Sequence, residues 1–496
     1  MNFSLDPEKL YHLFLYDRNA PMIFNSGIFL FIFLAFLFLY IKLKNRSNYR
    51  IIYVILFSYY FYYKSSGIYF LIMAFVTVWD FFAAQRMHVT KDKMKRKLLL
   101  ILSITANLGM LCYFKYTNFF YDMYCSLAGR DFSSFNIFLP VGISFFTFQS
   151  MSYTIDVYRK QLTPLEKIQD FAFYISFFPQ LVAGPIVRAR DFIPQIRKPL
   201  FVSNEMLGRG IFLIISGLFK KAILSDYISV NFVDRIFDNP NLYSGIENLF
   251  GLYGYALQIY CDFSGYSDMA IGIALLLGFH FNINFDSPYQ SASITEFWRR
   301  WHISLSSWLR DYLYISLGGN RKGKLRTYIN LIITMLLGGL WHGPSLRFVC
   351  WGAIHGFGLA IHKLVMGFFP KMKPSGDKMK PVWKVFGIIF TFHFVCFSWI
   401  FFRAETFDIA LDMIKQIFTF FHPGIFVDML KGYTMVFVAM FAGFVLHFTP
   451  KSLENRFINY TIKMPVVWKA VAVALMIVLV MQIKSSEILS FIYFQF

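Results

Sequence analysis

Residues 23–40 read IFNSGIFLFIFLAFLFLY, a run that carries no charged side chain. A helix needs about 20 consecutive apolar residues to cross a hydrocarbon core of roughly 30 Å. Comparable runs recur along the chain, for example at 51–63, 67–84, 98–114, 249–261, 269–281 and 466–483. Helices satisfy their own backbone polar groups within lipid, whereas exposed irregular segments do not. The sequence therefore predicts an all-α polytopic membrane protein, with the shorter runs forming re-entrant helices.

The composition of the 496 residues supports this prediction. Hydrophobic residues make up 57% of the chain and charged residues only 15%, against about 45–50% and about 25% in soluble globular proteins. This excludes a soluble enzyme, a disordered scaffold and a secreted disulfide framework. The five cysteines form no CxxC pair, so we interpret them as small buried hydrophobes rather than as disulfides or metal ligands.

The net charge of +20 is interpreted as a topology signal rather than as a nucleic-acid surface. Lys and Arg cluster between apolar runs, as the positive-inside rule expects of cytoplasmic loops. Five basic loops are placed in the cytoplasm on this ground: 42–50, 86–97, 321–326, 371–384 and 451–463. The tail after Lys484 is then extracytoplasmic. The positions of the charges do not determine how the segment 171–284 crosses the membrane.

An amphipathic pattern occupies residues 294–317, ITEFWRRWHISLSSWLRDYLYISL. Its apolar residues recur at helical spacing, and the opposite face is rich in charges and serines. We therefore predict one helix lying in the membrane interface. His302 sits at the border of the two faces, where a snorkelling interface residue is the simpler interpretation, and Arg310 lies on the polar face.

His342 is the histidine with the clearest functional signal. It follows Arg326 by sixteen residues, so a helix of about 1.5 Å per residue would carry it roughly 24 Å from the basic loop, deep within the membrane. Helix-breaking residues surround it, which are Gly338, Gly339, Gly343 and Pro344. An ionisable residue in that position is a functional candidate, and burial keeps an imidazole neutral and therefore available as a base. A core histidine hydrogen-bonded between helices is the equally weighted alternative.

Residues 261–268, CDFSGYSD, form a polar island between apolar runs. Asp262 or Asp268 within the bilayer would need a partner, and a structural hydrogen-bonding cluster is the favoured interpretation. His355 and His362 follow in the next apolar run, where helix packing is favoured. No group of histidines and carboxylates has zinc spacing, so no metal site is predicted.

Five stretches together resemble the membrane-bound O-acyltransferases, in their bacterial alginate O-acetyltransferase-like branch. They are LPVGISFFTFQSMSYTIDVYR (139–159), FFPQLVAGPI (177–186), YCDFSGYSDMAIG (260–272), FWRRWHISLSSWLRDYLYISLGGN (297–320) and LGGLWHGPS (337–345). Each stretch alone is a weak signal, but five in the family's order make a strong one. The resemblance begins near residue 22, which suggests an N-terminal extension (1–21), a membrane domain (22–484) and an extracytoplasmic tail (485–496).

The resemblance implies a ring of helices around a thinned centre, with a cytoplasmic cavity and an extracytoplasmic funnel. It implies that His342 of the WHG motif is catalytic and that His302 of the WRRWH motif is the second signature residue. The tail FIYFQF fits an F-x-Y-x-x-F ending seen in this branch, in which Tyr493 would carry the acyl group briefly. An aromatic anchor in the interface is the alternative for this tail.

These observations predict a multi-pass O-acyltransferase of the bacterial inner membrane that moves an acyl group, taken to be acetyl, from a cytoplasmic thioester towards an extracytoplasmic polysaccharide. The donor would be acetyl-CoA or an acyl carrier protein, with no bound cofactor, and the partner an SGNH-type acetyltransferase or a polysaccharide-modification complex. Trp341, Asp262 and Arg310 are candidates for lining the substrate channel. A lipid-directed acyltransferase and a transporter or channel using His342, Asp262 and Asp268 are the alternatives, although the inverted repeats of transporters are not evident.

Overall fold

The computed structural model describes residues 7–18, 21–24, 26–182, 184–369 and 381–483. Within these residues the secondary structure is helical and contains no strand. The sequence-based prediction of an all-α protein is therefore confirmed. The division at residues 22 and 485, and the ring around a thinned centre, stay predictions.

Several helices in the described residues are long and apolar enough to cross a membrane. They are Ser47–Val89, Lys93–Ala128, Leu346–Phe368 and Pro381–Arg403. The pair Pro423–Gly432 and Thr434–Phe448 would add a fifth, bent by 96°, and Gly27–Lys42 is a shorter apolar helix. The prediction of a polytopic membrane protein is confirmed. The runs predicted separately at 51–63 and 67–84 are joined by a short 3₁₀ turn, Gly67–Tyr69, into one long helical stretch.

The chain divides into two compact units, of which the first comprises residues 1–203 and 273–281. Its helices are tied together by Asp80, which is completely buried. The Asp80 carboxylate accepts hydrogen bonds from Ser103 Oγ at 2.6 Å, Asn107 Nδ2 at 2.7 Å and Ser150 Oγ at 2.5 Å. Because a buried polar group without partners is costly, this network fixes how the three contributing helices pack.

The second unit comprises residues 204–272 and 282–496. Helix α1, Gly245–Leu276, is longer than the sequence analysis predicted. The apolar runs 249–261 and 269–281 were predicted as separate segments, but the polar island between them lies in the interior of this one helix. The helix does not break there because the two aspartates of the island bind Lys220 and Lys221.

The amphipathic stretch 294–317 also differs from its prediction, because it is not one helix. It forms α2 (Ile294–Arg300), α3 (Ile303–Trp308) and a π-helical turn (Leu309–Tyr314). Outside hydrogen bonds cause the break: the Asp286 N–H donates to the Arg300 carbonyl, and the Ile303 N–H donates to the Asn284 carbonyl, both at 2.9 Å.

The predicted apolar face of this stretch is nevertheless correct. Phe297, Trp301 and Leu305 are buried, whereas Arg299 and Arg310 are exposed. The helical spacing of the apolar residues thus identified the buried side of a segment whose backbone changes direction.

Helices α4 (Lys324–His342) and α5 (Leu346–Phe368) form a tightly packed hairpin. Their backbones approach closely at two glycines: a Cβ on Gly339 would lie 2.1 Å from the Phe348 carbonyl oxygen, and one on Gly352 would lie 2.3 Å from that of Met335. Helix α4 ends at His342, as the surrounding glycines and proline predicted. Helix α6, Pro381–Arg403, packs against α5.

Candidate active site

His342 is the last residue of α4, and its side chain is only 3% exposed. The imidazole lies within an aromatic shell from α4, α5 and α6. Its ring centroid is 5.1 Å from that of Trp341, 5.0 Å from that of Trp351 and 5.3 Å from that of Phe402. The hairpin and α6 therefore hold His342 at a helix end surrounded by aromatic rings.

His302 lies in the break between α2 and α3 and is completely buried. Its backbone is left-handed, with φ 42° and ψ 56°, a conformation that is uncommon for residues other than glycine and often marks a functional site. The imidazole packs edge-to-face on Phe263 of α1 at 4.5 Å and lies 6.2 Å from Trp341. Burial lowers the pKa of His302 to about 3, so the ring is neutral.

The two histidines therefore share a neighbour, because both rings approach the indole of Trp341. The WRRWH and WHG motifs are forty residues apart in the chain, but the fold of the second unit places their histidines around one tryptophan. Neutral imidazoles are suited to accept and donate protons in acyl transfer. The structure thus brings together three residues that the sequence singled out: His302, Trp341 and His342.

Asn284 is the site residue that the sequence analysis missed. Its Oδ1 atom lies 3.2 Å from Nδ1 of His302 and accepts hydrogen bonds from Ser304, from the N–H at 3.1 Å and from the hydroxyl at 2.9 Å. Its amide nitrogen donates to Ser267 Oγ of α1 at 3.2 Å. The available signal was a polar residue between the apolar residues Ile283 and Phe285, in a segment with two asparagines that follows the polar island.

Asp262 is buried and belongs to an ion-pair cluster. Lys221 Nζ lies 2.5 Å from Asp262 and 2.8 Å from Asp226, and Lys220 Nζ lies 2.7 Å from Asp268. This arrangement supports the structural cluster favoured in the sequence analysis. Asp262 also precedes Phe263, the residue that packs on His302, and its role in a substrate channel stays a prediction.

Two other predicted residues do not join the histidines. The Arg310 side chain is 64% exposed and binds its neighbour Asp311 at 2.7 Å, so it points along its own turn, and its channel role stays a prediction. Tyr493 lies outside the described residues. Among the remaining histidines, His355 bonds to Ser398 and His362 to Thr295, both at 2.9 Å, in agreement with a packing role.

Comparisons with known proteins identify the family of this chain. The family model of the membrane-bound O-acyltransferases matches residues 165–403, which include both histidine motifs. The probable alginate O-acetylase of Pseudomonas aeruginosa is 41% identical over 406 residues, covering 80% of this chain and 75% of that protein.

Two further relatives act, by name, on other polymers. The peptidoglycan O-acetyltransferase of Helicobacter pylori is 36% identical over 390 residues, or 73% of each chain. The teichoic acid D-alanyltransferase of Bacillus subtilis is 30% identical over 289 residues, covering 55% of this chain and 70% of that protein. From the motifs, the helical membrane fold and these relatives together, the chain belongs to the membrane-bound O-acyltransferase family, in its alginate O-acetylase-like branch.

Proposed function

We propose that this O-acyltransferase takes an acetyl group from a thioester in the cytoplasm and passes it towards hydroxyl groups of a polysaccharide outside the membrane. The observation that carries this proposal is the placement of His302 and His342 around Trp341 in the second unit. The relatives' names support the acyl group, because the alginate and peptidoglycan enzymes are both described as acetyl-transferring.

The reaction needs a base for the hydroxyl and an acid for the leaving sulfur. In the proposed step the hydroxyl oxygen attacks the thioester carbonyl carbon, His342 takes the hydroxyl proton, and the C–S bond of the tetrahedral intermediate breaks. The same proton then passes to the departing thiolate, which gives an ester and a free thiol. His302 either orients the acceptor substrate or polarises the carbonyl.

The bulky, polar part of the donor need not cross the membrane in this scheme. A donor presented from the inner side and a hydroxyl arriving from the outer side would meet at His342. The helix from Lys324 to His342 is continuous, so it spans roughly 27 Å at 1.5 Å per residue. This length supports a His342 far from the basic loop that we place in the cytoplasm.

Donor and acceptor are tested together in inverted membrane vesicles, whose cytoplasmic face is outward. Radiolabelled acetyl-CoA or acetylated acyl carrier protein is added outside, and alkali-labile label is measured in the enclosed polysaccharide and in lipids. We expect label in the polysaccharide with one of the acetyl donors and none with palmitoyl-CoA. Label that accumulates in lipids, or preference for the long-chain donor, would support the lipid-directed alternative instead.

The relay hypothesis adds Tyr493 as a transient acetyl carrier that hands the group to an SGNH-type partner. A Tyr493→Phe variant keeps an aromatic ring for anchoring and removes the hydroxyl, so we expect polymer acetylation to fall to background. Tyr460→Phe is the control, because Tyr460 is an exposed tyrosine elsewhere in the chain. Unchanged acetylation in the Tyr493 variant would leave the tail with an anchoring role only.

A further inference from the structure

The contacts of Asn284 fix the proton position on His302. The Ser304 N–H can only donate, and it lies 3.1 Å from the Asn284 side chain, so the side-chain atom that it meets is the amide oxygen and not the nitrogen. The amide nitrogen of Asn284 points to a different neighbour, because it donates a hydrogen bond to Ser267 Oγ. The orientation of the Asn284 amide is therefore set by its surroundings.

An amide oxygen can only accept hydrogen bonds. Since Nδ1 of His302 lies 3.2 Å from this oxygen, Nδ1 must carry a proton. The Ser304 hydroxyl also approaches Nδ1, but at 3.4 Å, while it lies 2.9 Å from the Asn284 oxygen. The shorter contact takes the hydroxyl proton, so Ser304 does not compete for Nδ1. A neutral ring protonated on Nδ1 presents its lone pair at Nε2.

The same asparagine also stabilises the unusual backbone at His302. A left-handed conformation at a non-glycine residue is unfavourable and persists only where the surroundings determine it. The Asn284 carbonyl accepts the N–H of Ile303 at 2.9 Å, and its side chain accepts the N–H of Ser304. These two bonds hold the residues directly after His302 and thereby fix the direction of its side chain.

We propose that Asn284 is a positioning residue that holds His302 in the form protonated on Nδ1, so that Nε2 of His302 accepts a hydrogen bond from a hydroxyl of the acceptor sugar next to the one that His342 deprotonates, and does not donate one to the thioester carbonyl. This decides between the two roles that the proposed function leaves to His302. The proposal rests on the proposed function for the identity of the hydroxyl. The position of the proton on the His302 ring can be measured without any substrate.

The protein in detergent micelles, labelled with ¹⁵N-histidine, provides the direct test. Protonated and unprotonated ring nitrogens differ widely in ¹⁵N chemical shift, and the His302 signals are assigned by their loss in a His302→Gln variant. We expect a protonated Nδ1 and an unprotonated Nε2 in the unmodified protein. A protonated Nε2 in that spectrum would overturn the proposal whether or not the protein transfers acetyl groups.

Variants of Asn284 test the functional consequence. Asn284→Leu removes the amide oxygen, and we expect the ¹⁵N signals of His302 to move towards the other tautomer and the acetylation rate to fall by about 10–100-fold, as for other partners that orient a histidine. Asn284→Asp retains an acceptor oxygen and should keep Nδ1 protonated, with more activity than the leucine variant.

Asn248→Leu is the matched control for a purely structural loss. Asn248 is also completely buried, and its amide donates to the backbone carbonyls of Pro240, Tyr243 and Ser244. Its loss should lower stability but leave the His302 signals unchanged. If Asn284→Leu and Asn248→Leu lower activity equally and neither shifts the His302 signals, Asn284 is structural and the proposal is wrong.

Discussion

Replacing His342 with alanine is expected to reduce acetyl transfer by at least about 10²-fold while the protein remains at normal abundance in the membrane. A positioned general base contributes about 10²–10⁴-fold to such a reaction, and alanine cannot take the hydroxyl proton. The measurement is the rate of polymer acetylation, normalised to the amount of protein in the same vesicles.

Abundance needs its own control because His342 is buried among Trp341, Trp351 and Phe402, where a cavity would cost stability. A His342→Gln variant fills more of the space and should be equally inactive. His362→Gln is the matched control on the next helix, since His362 bonds to Thr295 and lies outside the aromatic shell. Retained acetylation in both His342 variants would remove this residue from the mechanism.

The position of His342 could be predicted because the relevant signals are local in the sequence. The basic loop, the length of the apolar run and the glycines around residue 342 are all read within one segment, and the structure has α4 end at His342 as expected. The close backbone approach at Gly339 is also consistent with the glycine content of that segment.

The break at His302 could not be predicted from periodicity. Phe297, Trp301 and Leu305 keep helical spacing across it, and they are all buried, so the pattern of apolar residues continues through a backbone that turns. The cause is the pair of backbone hydrogen bonds from Asp286 to Arg300 and from Ile303 to Asn284, whose partners lie more than ten residues apart in the chain. A hydrophobic pattern carries no information on such a long-range hydrogen bond.

The polar island of α1 shows the same limitation for charges. Asp262 and Asp268 interrupt the hydropathy of the segment, which predicted a break, but Lys221 and Lys220 lie more than forty residues earlier and neutralise them. Because the partners come from another segment, the sequence indicated that Asp262 needs a partner without identifying which cation supplies it. The continuous helix follows from the pairing and not from the local composition.

The second large effect that we expect is a loss of stability when the ion pair of Lys221 and Asp262 is broken. Replacing Lys221 with methionine is expected to lower the free energy of unfolding by about 3–5 kcal/mol, because removing one partner of a buried ion pair leaves the other charge uncompensated. Lys221 and Asp262 are 2% and 4% exposed, and Lys221 also bonds to Asp226. The measurement is the unfolding equilibrium in mixed detergent micelles.

Lys220→Met is the matched control, since it removes the neighbouring lysine from a more accessible pair in which Lys220 and Asp268 are 24% and 20% exposed. That pair is less deeply buried than the Lys221–Asp262 pair, so its loss should cost clearly less. Adding Asp262→Asn to Lys221→Met removes the uncompensated negative charge of Asp262 and should restore part of the stability. Equal losses for the two lysine variants, or no recovery in the double variant, would show that the burial of Lys221 and Asp262 does not determine the energetics of the cluster.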